Sequence, residues 1–524
     1  MSSRGELVRP LDLHRRSEGS LGRRGATSFV GLAFQGLLRL AVNVVVGRLA
    51  GAAVLGIVAA GQATAQFLIL LWPTTGGQAA SRFLARARGR GDASEIDAVA
   101  RHLGRAVLLA TLLLAGLSVP ISMARGVPPV GAACIAALLV GLAGQQYTRG
   151  VHYGVGAVTR VVVLDIGFSL LGLAGVVAAL LAGVRDLRLL LPLAAAFGLL
   201  TLACWPWGAG RGSRASHGSR GSRVSHGGSG GSAAPADRAA RRTLAREIDT
   251  FVFFGSLGTI ASAGLVQLSV IVASRLGDAQ AGAYSAASNL AIPLTLLSGA
   301  LSLVLYPSMS EAFGRGDEQA VRRQLDRGVR GLVFLVVPIV AVAALLAPEI
   351  VRLLYGPGFA SSARLLVVLL LAVLVSMVAV PCVNATTSGH ARGIVEMSVA
   401  SLVGLAVAAV MWWFLLTGAG TGLFSDVMTD DGGGEVLGVA FGYLAGVTVT
   451  GGYAFARSWR AWRMSWWVLL LALAVGVAAI LVAVTVTAGS PGWARGVLAC
   501  AMAGVWALAL PGERRAWAAR LRQR

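Results

Sequence analysis

The sequence predicts an all-α integral membrane protein of about fourteen transmembrane helices. These are arranged as two pseudo-symmetric six-helix bundles followed by two C-terminal helices. Three observations predict this. Long apolar stretches recur along the 524 residues, which have a mean hydropathy of +0.74. Thirty-six of the forty-five basic residues, all Arg, fall in every second gap between those stretches or within three residues of its edge. A tetrapeptide in one half of the chain returns in the other, Gly89-Arg90-Gly91-Asp92 and Gly314-Arg315-Gly316-Asp317.

A hydrocarbon core of about 30 Å asks about 20 apolar residues of a helix. Windows of that kind lie at 26–47, 54–75, 104–123, 128–148, 158–183, 187–207, 250–272, 281–305, 329–347, 363–384, 395–417, 436–456, 465–487 and 493–511. An excess of arginine marks the cytoplasmic side of a membrane protein. On that rule the N-terminus (1–25), the segments 76–103, 208–249 and 306–328, the Arg457/Arg460/Arg463 turn and the tail (512–524) are cytoplasmic, so both ends of the chain lie inside. The gap 418–435 is external and acidic, with Asp426, Asp430, Asp431 and Glu435. The net charge of +22 is then a record of topology, and no nucleic-acid partner follows from it. The partner that does follow is the lipid bilayer, in the cell membrane. The first apolar run is too long for the core of a cleaved signal.

The two GRGD copies each follow the second helix of a hairpin and open a short amphipathic cytoplasmic helix. Its apolar stripe is Ile96, Val99, Leu103 and Val107 in the first copy, and Val321, Leu325, Val329 and Leu332 in the second. An even number of spans separates the copies, so both halves run the same way through the membrane, as in a parallel repeat. The N-lobe is 26–207 and the C-lobe 248–456, with 457–511 as two further spans. The intervening 208–247 is rich in Gly, Ser and Arg, the composition of a flexible tether.

The polar residues inside the spans are the candidate site. Gln35, Arg39 and Asn43 are spaced four apart and form one stripe on span 1. Gln62 and Gln66 repeat the spacing in span 2, and Asn289 lies in span 8. An arginine at mid-span costs about 2.5–3.5 kcal/mol on insertion scales, so Arg39 should face the protein interior or a wet cavity. Asp165 in span 5 is its ion-pair partner or, alternatively, a carboxylate that couples transport to an ion. Singly, the Gln and Asn residues also fit interhelical hydrogen bonds. A cationic stripe without a carboxylate in spans 1 and 2 suits an anionic substrate such as a phosphate or pyrophosphate, whose oxygens arginine pairs bidentately. The cysteines Cys134, Cys204, Cys382 and Cys500 have no metal-ligand spacing and read as small packing residues. The histidines all fall in the cytoplasmic segments, so no metal or other cofactor is expected.

The turn Arg48-Leu49-Ala50-Gly51…Gly56, the GRGD loop, the same plan over 275–317, and the element Ala347-Pro348-Glu349-Ile350…Leu354-Tyr355-Gly356-Pro357-Gly358-Phe359 together resemble the polysaccharide flippases. These form the Wzx/MurJ branch of the MOP (MATE-like) superfamily. The resemblance covers about residues 26–456. It implies a V-shaped pair of six-helix bundles that moves undecaprenyl-pyrophosphate-linked oligosaccharide from the inner to the outer leaflet by alternating access. It makes a cavity arginine, here Arg39, the holder of the pyrophosphate. It also implies glycosyltransferases and a polymerase of the same pathway as partners. Two extra C-terminal spans are shared with lipid II flippases, although the cluster of arginines in span 1 of that branch is missing. An ion-coupled exporter of the MATE type is the competing reading, with Asp165 as its carboxylate. A membrane glycosyltransferase would need acidic residues in a sizeable external loop, which only 418–435 offers. The chain is therefore read as a transporter and not as an enzyme.

Overall fold

The computed structural model describes residues 21–206, 235–389, 391–417 and 434–509. The N-terminal arginines, the Gly/Ser-rich stretch, the acidic external gap and the basic tail lie outside these residues, wholly or for the most part. Among the described residues the chain is helical with short turns. Helix α1 spans Leu21–Leu70, broken at Gly51 (φ 84°, ψ 178°) into two arms. Then come α2 (Pro73–Arg90), α3 (Ala93–Ala124), α4 (Pro129–Gly154), α5 (Val158–Leu181) and α6 (Leu191–Cys204). The second half contains α7 (Pro235–Leu276), α8 (Asp278–Gly314), α9 (Glu318–Leu345), α10 (Ala347–Leu354), α11 (Ser362–Gly389), α12 (Ala391–Leu416) and α13 (Gly434–Trp462). Helices α14 (Trp467–Val486) and α15 (Gly492–Ala509) end the described chain.

Eleven of these helices are long and apolar enough to cross a membrane. One of the eleven, 33–70, contains the Gly51 break, so it is a hairpin of two arms and not one straight rod. Large apolar side chains on the helix surfaces agree with a lipid environment. Leu109, Leu113, Leu181, Val468 and Val486 are mostly exposed, which water would penalise and acyl chains do not. The chain is a multi-pass membrane protein.

The repeated tetrapeptide is a helix stop followed by a helix start. Gly91 and Gly316 both take φ 71°, the left-handed region in which a side chain is costly. At the first copy the Gly91 N–H donates to Arg88 O and the Asp92 N–H to Ala87 O. At the second, Gly316 donates to Phe313 O and Asp317 to Ala312 O. This is the Schellman pattern, which satisfies the last carbonyls of a helix. The aspartate then caps the next helix. Asp92 accepts from Ser94 N and Glu95 N, and Asp317 from Ala320 N. The expected apolar stripes are buried, with Val99, Leu103, Val321, Leu325 and Val329 all at 0% exposure. They form the first turns of the long helices α3 and α9, not separate short helices.

Folding lowers the Asp92 pKa from its ordinary 3.8, first through the Glu95 N–H and then the Ser94 hydroxyl. The native carboxylate therefore holds its proton less than the unfolded one. Its stabilisation is complete above the ordinary value and fades as the pH falls below it. Asp92→Ala is expected to lower stability by about 1 kcal/mol at neutral pH. Thermal melts of the detergent-solubilised variant and wild type should converge as the pH falls below that ordinary value. A constant difference across pH would remove the cap from the explanation.

One segment departs from the sequence reading. Helix α7 begins at Pro235, inside the stretch expected to be a tether. Proline is preorganised for a first helical turn. The run Ala239–Glu247 is rich in Ala, Arg, Leu and Glu, the strongest helix formers.

The chain divides into two compact units, Met1–Leu38 with Gly61–Ile260, and Arg39–Ala60 with Ala261–Arg524. In the first, α4 is the central helix, packed against α2, α3 and α6. In the second, α11 is central, packed against α8, α9 and α13. Each is the fourth expected span of its half. In the second unit the turn of the first hairpin lies against the start of α8. A Cβ on Gly56 would strike Asp278 O, and one on Gly282 would strike Ala52 O. The Tyr355 element closes on the same hairpin: its ring fills the space where a Gly47 side chain would project, and Arg48 donates to Leu353 O. The element that resembles the flippase stretch is thus a clamp on the hairpin arm.

Candidate functional site

In the first unit, polar side chains from three helices converge. Gln145, Arg149 and Tyr153 are four apart and share one face of α4. Arg149 Nη1 donates to Gln35 Oε1 on α1 at 2.6 Å. Its Nε lies 3.9 Å from Asp165 Oδ2 on α5, with the two side chains 13% and 8% exposed. Gln145 Nε2 donates to Asp165 Oδ1 at 2.6 Å. Arg149 also reaches the Tyr153 hydroxyl at 3.5 Å and sits near its ring face. Asp165 therefore pairs with Arg149, and the pairing with Arg39 considered from sequence is replaced. The reason is helix length. Helix α4 continues to Gly154, past the apolar window that ended at 148, and carries Arg149 inside a membrane-spanning helix.

Arg149 is the residue the sequence reading missed. Its signal was the four-residue spacing from Gln145 to Arg149 to Tyr153, which continues the helix beyond the apolar run. The same extension moves His152 from a loop into the span. It is fully buried, with Nδ1 2.8 Å from Thr148 O. Arg160, in the first turn of α5, has its Nε buried without a hydrogen-bond partner. Gln62 and Gln66 stay on the second arm of α1 and are half-buried.

The remaining candidates belong to the second unit. Asn43 is buried and donates to the Arg39 main-chain carbonyl at 2.8 Å, one turn back. Arg39 is half-buried, and its Nε is enclosed without a hydrogen-bond partner. Among the described residues no acidic side chain pairs with it. Asn289 is buried and donates to Ser285 O at 2.8 Å and Ser285 Oγ at 3.1 Å, leaving its Oδ1 without a partner. Gln267 Oε1 is likewise unsatisfied, while Asn384 donates to Ser302 Oγ at 3.1 Å. Of the six substrate-binding candidates, Gln35 is brought to the arginine–aspartate cluster. Asn43 and Asn289 make short-range helix contacts. Orphaned polar atoms of this kind in a membrane core mark places where water or a polar ligand completes the hydrogen bonding.

Of the four cysteines, Cys134, Cys204 and Cys382 are buried and free, whereas Cys500 is exposed on α15.

Comparison with known proteins agrees with this architecture. Residues 255–364 match the family model described as polysaccharide biosynthesis protein. No curated protein sequence matches the chain. Among solved structures, a multidrug resistance MATE family transporter of the MOP superfamily, in an inward-facing conformation, aligns over 82% of this chain and 95% of its own, with TM-score 0.58 and 15% identity. A mutant of the Vibrio cholerae MATE transporter VcmN aligns over 84% and 96%, with TM-score 0.55 and 15% identity. A Pyrococcus furiosus MOP superfamily transporter, described as having a binding pocket of reverse polarity, aligns over 86% and 98%, with TM-score 0.53 and 15% identity. The chain has the fold of the MATE transporters of the MOP superfamily.

Proposed function

We propose that this protein is a flippase that carries undecaprenyl-pyrophosphate-linked oligosaccharide from the inner to the outer leaflet of the cell membrane. The observation that carries the reading is the polysaccharide-biosynthesis match at 255–364 within a MATE-type transporter fold. The chemistry supports it. Arg39 lies mid-helix in an apolar span without an acidic partner among the described residues, and Asn43, Asn289 and the glutamines supply hydrogen-bonding groups. Such a set replaces the water that a charged head group loses on leaving the interface. No bond is made or broken in this task. Fourteen spans with both termini in the cytoplasm complete the proposed topology, and glycosyltransferases and a polymerase are the expected neighbours in the pathway.

The second reading, an ion-coupled small-molecule exporter, rests on Asp165, a carboxylate buried within a span. A reconstituted assay separates the two. Vesicles containing the purified chain should expose a fluorescent undecaprenyl-pyrophosphate sugar to an added quencher faster than protein-free vesicles. Cation-driven uptake of a small organic dye with no movement of the lipid would overturn the flippase reading in favour of the exporter.

A further inference from the structure

The second unit holds a basic cavity that the transport reading does not use. Its volume is about 430 Å³, and Gln319, Arg322, Arg323, Asp326, Arg330 and Ser465 line it. One wall is the start of α9, and the other is the turn between α13 and α14. The walls are fastened together. Arg330 Nε donates to both Asp326 oxygens, at 3.0 and 2.9 Å, and Trp466 Nε1 donates to Asp326 Oδ1 at 2.8 Å. Arg330 Nη2 donates to Ser465 O, and Arg322 Nη2 to Arg463 O, each at 3.3 Å. Arg463 has φ 46°, an uncommon conformation for a residue with a side chain, and it lies where the turn offers that carbonyl.

The charges do not balance. Asp326 is taken up by Arg330 and Trp466. Arg322 and Arg323 are both exposed, and no carboxylate pairs with either among the described residues. Arg323 reaches only the neutral Gln319 side chain, at 3.4 Å. A related cavity of about 350 Å³ follows the first GRGD turn, lined in part by Arg101, His102 and Arg105. There Asp97 pairs with Arg101 and Asp249 meets the His102 ring, which leaves Arg105 as the one arginine of that lining without a carboxylate among the described residues. Two adjacent unanswered arginines, the pair a phosphate needs, occur in the second-unit cavity, against one in the first.

Its depth identifies the source of an anion. Helix α14 begins at Trp467, two residues after Ser465. Trp467 and Val468 are 72% and 75% exposed on a helix of mean hydropathy 2.9. The Trp467 ring packs edge-on against Trp459 at 4.8 Å. Tryptophans gather where hydrocarbon meets head groups. Helix α9 likewise passes from its arginines into an apolar run beyond Arg330. The cavity is therefore level with the lipid phosphates on that side.

We infer that this cavity binds the phosphate of an anionic phospholipid head group through Arg322 and Arg323. The planar guanidinium fork matches phosphate oxygens, and anionic lipids draw basic side chains at this depth. The inference is independent of what the protein transports.

Native mass spectrometry of the purified full-length chain, given equal phosphatidylglycerol and phosphatidylcholine, tests it. Wild type should retain phosphatidylglycerol in preference. Arg323→Glu should weaken that retention by at least about fivefold, the effect of one arginine near an anionic surface. Arg322→Lys, which keeps the charge, should lose less. Arg323 makes no fold-building bond, so the variant should melt with wild type. Arg457→Ala, which removes an exposed arginine paired with Glu396 elsewhere, should change nothing. Unchanged retention by Arg323→Glu would overturn the site. Displacement of the lipid by inorganic phosphate, with no preference between the two lipids, would overturn the lipid source. Retention of undecaprenyl pyrophosphate in place of phosphatidylglycerol would reassign the cavity to the transported substrate.

Discussion

Arg149→Ala is expected to destabilise the first unit strongly, whereas replacing both partners at once, Arg149→Met with Asp165→Leu, should cost little. Arg149 and Asp165 face each other with little exposure, and Gln35 and Gln145 complete the cluster. Removing one member of a buried pair leaves the other charge uncompensated and costs about 3–5 kcal/mol. Replacing both with apolar side chains is often neutral, because the desolvation of two charges disappears together. A membrane interior sharpens the asymmetry, since little water reaches an orphaned carboxylate. Thermal melts in detergent should therefore rank wild type and the Arg149→Met/Asp165→Leu double variant well above Arg149→Ala. Asp165→Asn should fall between them, because Gln145 keeps a hydrogen-bond acceptor. If Arg149→Ala melts with wild type, the cluster is not a fold-holding pair, and its residues become candidates for direct contact with substrate. If the double variant is stable yet fails to drive cation-linked uptake that wild type performs, Asp165 gains the coupling role.

The repeated turn was legible because it follows from local rules. A glycine must end a helix in the left-handed region and an aspartate must cap the next one, so Gly-Arg-Gly-Asp reads as a turn wherever it stands. The stripes Ile96–Val107 and Val321–Leu332 were legible because the 3.6-residue period survives any tertiary context. The Arg149 cluster was not, for a physical reason. An apolar window ends where polar residues begin, but a helix ends only where its backbone loses partners. Helix α4 carries Gln145 and Arg149 through its last turns because α1 and α5 answer their polar groups, while His152 turns back to Thr148 O of its own helix. That answer comes from residues such as Gln35, 114 positions away from Arg149. The role of the Tyr355 element was hidden likewise, since the hairpin it clamps is some three hundred residues upstream. By spacing alone Gln35, Arg39 and Asn43 form one stripe. The structure parts it within a single helix, Gln35 going to the cluster and Asn43 bonding to the turn before it.

Arg39→Ala should behave in the opposite way to Arg149→Ala, abolishing lipid movement while leaving the melting temperature close to wild type. No carboxylate is orphaned by its loss among the described residues, and its Nε gives up no hydrogen bond. An uncompensated arginine in an apolar span carries an insertion cost of about 2.5–3.5 kcal/mol. Alanine removes that cost, so the variant is expected to be as stable as wild type or slightly more so. A residue kept at such a cost, without a structural partner, is best explained by a ligand that supplies the missing charge. Arg39→Lys keeps the charge and loses the planar fork, so it should retain only a fraction of the movement. Quencher accessibility of a fluorescent undecaprenyl-pyrophosphate sugar, measured beside a melt of the same preparations, reads both quantities. Loss of the folded protein with Arg39→Ala would assign the arginine to structure. Full movement with intact folding would detach it from the substrate and leave the unpaired Nε of Arg160 as the next cation to test.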